Sequence, residues 1–142
     1  MQNTQKSQLQ NQRGMTLMEI LIVLAILGSL IAILLPNLKS AQDKAKVGET
    51  KIRMGKVLNQ LNMYYTDCGK YPESLDNMIT ADPACTNWGP EPYLKKSEIL
   101  DSWGTPFVYS VEGNNYLLKS LGADRKEGGD KYDKDISSED IQ

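Results

Sequence analysis

The chain has 142 residues, enough for one globular domain, with 40% hydrophobic residues, 24% charged residues and a formal net charge of -2. That charge gives no basis for nucleic-acid binding, and the absence of any histidine removes the commonest general base and transition-metal ligand together. The averages hide a division, because nearly all the dense hydrophobicity lies in residues 15–35.

Residues 1–14 are rich in Gln and Asn, with Lys6 and Arg13 as their only charges, and such a segment is expected to be disordered. Then comes MTLMEILIVLAILGSLIAILL, residues 15–35, in which Glu19 is the sole ionisable side chain. As a helix rising about 1.5 Å per residue, it is long enough to span a hydrocarbon layer roughly 30 Å thick. A buried helix in a soluble core is the poorer reading, since so small a domain could hardly cover it on every side. Charge counting leaves the orientation open. The bases before the run favour a cytoplasmic N-terminus, whereas the basic stretch after Leu38 argues the other way. An ordinary signal peptide would have a shorter apolar region followed by small residues at a cleavage site, and this run has neither.

Beyond Pro36, the apolar residues Leu38, Ala41, Ala45, Ile52, Leu58, Leu61 and Tyr65 recur near multiples of 3.5. The pattern predicts one long helix that leaves the apolar run and becomes amphipathic. Pro36 should kink or loosen it, and it should end near Asp67 to Gly69. A short helix is predicted at 75–79 and irregular chain at 82–92, where three prolines fall. Strand-like runs at 107–111 and 116–121 flank Glu112-Gly113-Asn114-Asn115, a hairpin signal.

Cys68 and Cys85 are the only cysteines, and an even pair in an exported domain favours a disulfide worth roughly 3 kcal/mol in the chain-entropy model. Lys39, Lys44, Lys46, Lys51, Arg53 and Lys56 make residues 39–56 basic, and the end of the chain is acidic. Opposite charge at the two ends suits contacts between neighbouring copies; solvated surfaces are the alternative. Trp88, Trp103, Phe107, Tyr109 and Tyr116 are read as packing residues of a small head.

Gly14 followed by Met15-Thr16-Leu17-Met18-Glu19 and an unbroken apolar run resembles the class III signal of type IV pilins and their relatives. The resemblance implies cutting by a prepilin peptidase between Gly14 and Met15, with N-methylation of Met15. Further matches are Pro36-Asn37-Leu38, Asp43-Lys44-Ala45, Tyr71-Pro72, Tyr93-Leu94, Asp101-Ser102-Trp103-Gly104-Thr105-Pro106 and Ser120-Leu121-Gly122-Ala123-Asp124. Together they resemble the major pseudopilins of type II secretion systems. Departures include Met15, where phenylalanine is usual, and Arg125, where glycine is usual.

The implied fold is α+β and pilin-like: a long N-terminal helix on a small antiparallel sheet with long loops and a C-terminal acidic loop. The implied organisation is a cleaved leader at 1–14, a membrane and assembly half-helix at 15–35, and a periplasmic head at 36–142. A carboxylate at membrane depth needs a partner, so Glu19 is expected to pair with the freed Met15 amine of its own or a neighbouring helix during assembly; the alternative is that it lies just inside the headgroup region and only marks the helix end. Asp124, Asp130, Asp133 and Asp135 lie in a glycine-containing stretch whose spacing is not that of an EF-hand. The resemblance implies a structural calcium there, held by the Leu121 carbonyl, Asp124 and Asp133, with Asp130 and Asp135 less firmly placed.

No catalytic residues are expected, and no phosphate-binding loop is present in the sequence. The implied role is a structural subunit of a periplasmic pseudopilus that helps drive folded proteins through an outer-membrane secretin. The implied partners are further copies of the chain, the peptidase, minor pseudopilins and an inner-membrane assembly platform. A type IV pilus or DNA-uptake subunit is the nearest alternative. A membrane-anchored periplasmic binding module is a more distant one.

Overall fold

The computed structural model describes residues 14–141 of the chain, so the predicted leader lies outside the described residues except for Gly14. The chain divides between Leu38 and Lys39 into two units. One helix, α1 (Leu17–Cys68), contributes residues to both.

In the first unit, every described residue is exposed, including Leu24, Ile31 and Leu34. A helix that is apolar on all sides has no single face to turn toward a core. Pro36 lies inside α1, which continues through it. Proline's fixed φ is compatible with a helix, but inside one it removes a backbone donor and crowds the carbonyl four residues before it.

In the second unit, α1 becomes one-sided. Thr50, Met54, Val57, Leu58, Leu61 and Tyr64 are its buried residues, spaced three and four apart as one helical face requires. The sequence stripe finds Leu58 and Leu61, but places Ile52 and Tyr65 in it. Ile52 is 76% exposed, and Tyr64 rather than Tyr65 is fully buried. Leu38, Ala41 and Ala45 are also exposed. An apolar residue near a helical multiple need not lie on the face that meets the head, and Thr50 and Met54 define that face better.

The helix stops where the sequence predicts. Gly69 adopts φ +73°, and its amide donates to the Tyr65 carbonyl at 2.8 Å, which satisfies an end carbonyl of α1. Cys68 is joined to Cys85 with Cα atoms 5.1 Å apart, so the intervening loop is fastened to the helix end. Within that loop, Ser74 caps a 3₁₀ helix, Leu75–Met78, where the sequence predicts a short helix. Leu75 and Met78 enter the core with Leu94, Phe107, Leu118 and Ile136. The predicted packing aromatics belong with them: Phe107 is buried, and Trp88, Trp103, Tyr109 and Tyr116 pack partly buried against the core.

The sheet is antiparallel, in the order β1 (Val108–Glu112), β2 (Asn115–Ser120), β3 (Ile136–Ser137). Glu112 pairs with Asn115, leaving Gly113-Asn114 as the two-residue hairpin loop. The predicted four-residue connection is thus shortened, because its outer residues join the ladder. β3, two residues long, pairs with the end of β2 and is not predicted from the sequence. Two residues are too few to show an alternating pattern.

Two buried carboxylates organise the loops. Asp101 is 1% exposed; its Oδ1 accepts the Trp103 and Thr105 amides at 3.0 and 2.8 Å, and its Oδ2 accepts the Ser120 hydroxyl at 2.7 Å. The Asp101–Pro106 turn is thereby wrapped around its own first side chain and tied to the end of β2. Asp82 accepts the Tyr64 hydroxyl at Oδ2 and the Ala84 amide at Oδ1, 2.9 Å. This joins the proline-rich loop to α1.

The Tyr64 hydroxyl, then the Ala84 amide, hold the Asp82 carboxyl below its ordinary value of 3.8. Its contribution is therefore complete above pH 3.8 and is lost as pH falls through the lower folded value. Burial, then the bond to Asp82, pushes the Tyr64 hydroxyl well above 10.0, so its contribution is complete below pH 10.0 and is lost as pH rises through the folded value. Denaturant midpoints measured across pH should fall on both limbs. Asp82→Asn should flatten part of the acid limb, and Asp82→Ala should cost about 2 kcal/mol near neutrality. An acid limb identical in wild type and Asp82→Asn would contradict this assignment.

Candidate functional site

The sequence-predicted residues fall in two places, the start of α1 and the loop that follows β2. At the first, Gly14 and Met15 are exposed and precede the helix, and nothing lies within 4 Å of where a Gly14 side chain would begin. Thr16 caps the helix, since its hydroxyl oxygen accepts the Glu19 amide at 3.2 Å. Glu19 answers by accepting the Thr16 amide on Oε2 at 3.3 Å. This is a reciprocal capping box, two of the orphan amides of the first turn satisfied by two side chains. The Thr-x-x-Glu signature is legible in the sequence, but its capping role is missed when Glu19 is read only for its charge. The Met15 nitrogen is here a peptide amide bonded to Gly14, not an amine.

Behind the capping box, α1 contains a window of mean hydropathy 2.8 that is 0% buried, long and apolar enough to cross a membrane. Ser29 satisfies its hydroxyl locally, donating to the Ile26 carbonyl at 2.7 Å.

The second place is the loop at 121–135, which closes on itself. The Ala123 amide donates to the Tyr132 carbonyl at 3.0 Å, and the Asp135 amide to the Gly128 carbonyl at 3.2 Å. Gly122 has φ +69°, and a Cβ there would stand 2.9 Å from the Asp133 carbonyl group and the Lys134 oxygen. Only glycine fits so close a crossing. Asp124 and Asp130 each turn an oxygen back to a nearby amide, that of Lys126 at 3.0 Å and of Lys131 at 2.8 Å. Asp133 donates its amide to the Asp130 carbonyl at 3.0 Å. Asp135 places Oδ2 3.4 Å from the Lys119 ammonium, while its Oδ1 is buried with no partner.

The loop thus offers the hard oxygen donors that calcium takes, and one of them is buried and unsatisfied. Among the described residues, no three acidic, histidine or cysteine side chains gather as a metal group. The fold brings Asp133 against Gly122 and closes the loop, but it does not bring the four aspartate side chains together.

Comparisons with known proteins extend this geometry. The family described as "Type II secretion system (T2SS), protein G" matches residues 37–139, and the "Prokaryotic N-terminal methylation motif" matches residues 9–35. The type II secretion system core protein G of Pseudomonas aeruginosa is 40% identical over 139 residues, which cover 92% of this chain and 97% of that protein. The protein of the same description from Xanthomonas campestris is 32% identical over 127 residues, 88% of each. Among solved structures, the crystal structure of the major pseudopilin from the type 2 secretion system of enterohaemorrhagic Escherichia coli superposes with a TM-score of 0.57 at 23% identity. It covers 72% of this chain and 94% of that one, and it supports the α+β pilin-like fold. By the family match across the head and the relatives matched along nearly the whole length, the chain belongs to the type II secretion system protein G family.

Proposed function

We propose that the chain is the major structural subunit of a periplasmic pseudopilus, polymerising from the inner membrane to help drive folded proteins through an outer-membrane secretin. The observation that carries this reading is the apolar stretch of α1, uncovered on every side and opening directly after Gly14 in a chain of this family. Residues 15–35 anchor the subunit once in the inner membrane, and residues 36–142 form the periplasmic head. The subunit acts mechanically rather than by catalysis.

In this reading, a prepilin peptidase cuts between Gly14 and Met15 and methylates the new amine, which stays basic. Cutting changes the chemistry around Glu19. The amine appears next to Thr16, within the turn that Glu19 already closes. When apolar helices bundle in the filament, an unpaired carboxylate among them is costly. Pairing Glu19 with the amine of its own or an adjacent subunit removes that cost and fixes the axial register. Minor pseudopilins and an inner-membrane assembly platform are the further partners of this reading.

The acidic loop is proposed to hold a structural calcium, with the Leu121 carbonyl and Asp124 as first ligands, then Asp133, Asp130 and Asp135. The buried, unpartnered oxygen of Asp135 and the oxygen-only donor set support this. The ion would fix a loop poor in apolar side chains.

Glu19→Gln separates capping from charge, because glutamine also serves in a capping box. The variant should be cut and methylated normally, yet yield fewer filaments by more than about tenfold, equivalent to 1.4 kcal/mol. Secreted proteins should then accumulate in the periplasm. Filament yield equal to wild type would defeat the pairing role.

Millimolar calcium should raise the melting temperature of the detergent-solubilised mature chain by several degrees, about 4–8 °C per kcal/mol for a domain of this size. Equimolar magnesium should not, and Asp124→Ala should remove the response. A melting temperature indifferent to calcium and to chelator would refute the metal assignment.

A further inference from the structure

The basic residues that follow the apolar run have no evident role in the head. Lys39 and Lys44 are exposed and Lys46 is half-buried, and among the described residues none of the three forms a salt bridge. The two acids of this stretch are engaged elsewhere. Asp43 accepts the Trp103 indole N–H at 3.5 Å. Glu49 accepts Nε and Nη2 of Arg53 at 3.0 and 2.7 Å. With Glu49 paired to Arg53, Lys39, Lys44 and Lys46 outnumber Asp43, whose charge the neutral indole N–H does not cancel, and they leave a local net positive charge.

Two further groups stand at the same level of the head. The bond to Asp43 places Trp103 beside this turn of α1, and the Trp103 carbonyl accepts Nη2 of Arg125 at 3.1 Å. Arg125 is exposed and holds φ +61°, a left-handed conformation that a long side chain seldom adopts. A rim of Lys39, Lys44, Lys46, Arg125 and Trp103 has the composition of a membrane-interface anchor, cations with an amphipathic ring.

Its place in the chain gives that composition a target. Cutting after Gly14 would remove Lys6 and Arg13, so the mature chain would keep its juxtamembrane lysines and arginines only beyond the span, with the Met15 amine before it. Bases on the translocated side run against the usual distribution.

We infer that this rim binds the headgroups of anionic phospholipids in the periplasmic leaflet, holding the unassembled subunit at a fixed depth until it is drawn into the filament. Such headgroups are uniformly negative and attract juxtamembrane cations within a Debye length. The acidic loop of a second copy fits less well, because Arg125, Lys126, Lys131 and Lys134 are interspersed with its acids. The inference rests on the membrane reading given above.

The test reconstitutes the full-length mature chain in vesicles and reads tryptophan fluorescence. The quenchers are brominated phosphatidylglycerol and brominated phosphatidylcholine at equal mole fraction. Quenching by either lipid tests the membrane reading, whereas the difference between them tests the lipid preference. The anionic lipid should quench roughly twofold more strongly at low salt. Trp103→Phe should remove most of that difference, and about 0.5 M salt should abolish it. The triple change Lys39→Gln, Lys44→Gln, Lys46→Gln should abolish it too, with circular dichroism confirming that the variant is folded. Arg125→Gly should weaken it. Equal quenching by the two lipids overturns the inference, as does a preference that survives the triple change. Loss of the preference on adding millimolar inorganic phosphate would replace the lipid with a free-anion site. A triple variant that keeps the preference but forms no filaments would assign the lysines to a second copy instead.

Discussion

The head is built on a single stripe of α1, and the rest of the structure depends on how that helix divides its surface. Met54, Val57, Leu58, Leu61 and Tyr64 supply the helical side of the core, against which the 3₁₀ helix, the hairpin and Ile136 close. Upstream, the same helix is apolar all round and wholly exposed, with no complementary face among the described residues to cover it. Lipid or the helices of other copies must do so, since so large an apolar surface is not left in water. Membrane anchorage and polymerisation are two ways of meeting one physical demand.

Away from the helix, the head has little regular structure, and its loops are held by point fixtures instead. The Cys68–Cys85 bridge fastens the first loop to the end of α1, and Tyr64 with Asp82 fastens the proline-rich stretch. Asp101 gathers two amides of its own turn and the Ser120 hydroxyl. That last bond ties the Asp101–Pro106 segment to the Ser120–Asp124 segment. One supplies a buried carboxylate, and the other supplies the hydroxyl that satisfies it. Ser120 also accepts the Gly122 amide at 3.4 Å, so the acidic loop leaves the sheet from an anchored point.

Much of this was legible in the sequence, and the misses have physical causes. The apolar run, the helix end at Gly69 and the hairpin follow from composition and turn chemistry, which act locally. The buried stripe was placed correctly at Leu58 and Leu61 but drifted toward Ile52 and Tyr65. Which helical face is buried is decided by a partner that periodicity alone does not contain. β3 escaped because a two-residue strand owes its existence to β2. The role of Asp101 escaped because a buried carboxylate looks like any surface aspartate until its distant partner Ser120 is known. At the candidate sites, Glu19 showed a second use as a capping residue. The four aspartates are legible as a group in sequence, while the side chains of Asp124 and Asp130 turn to local amides and that of Asp135 to Lys119.

The central claim is that the uncovered half of α1 belongs to a processed, membrane-held subunit. The most direct measurement is the intact mass of the membrane-extracted protein, produced with and without a prepilin peptidase. The account predicts a peptidase-dependent loss of residues 1–14 and the gain of one methyl group on Met15. A chain that stays uncut and unmethylated beside an active peptidase would contradict it, and would leave α1 as a simple anchor.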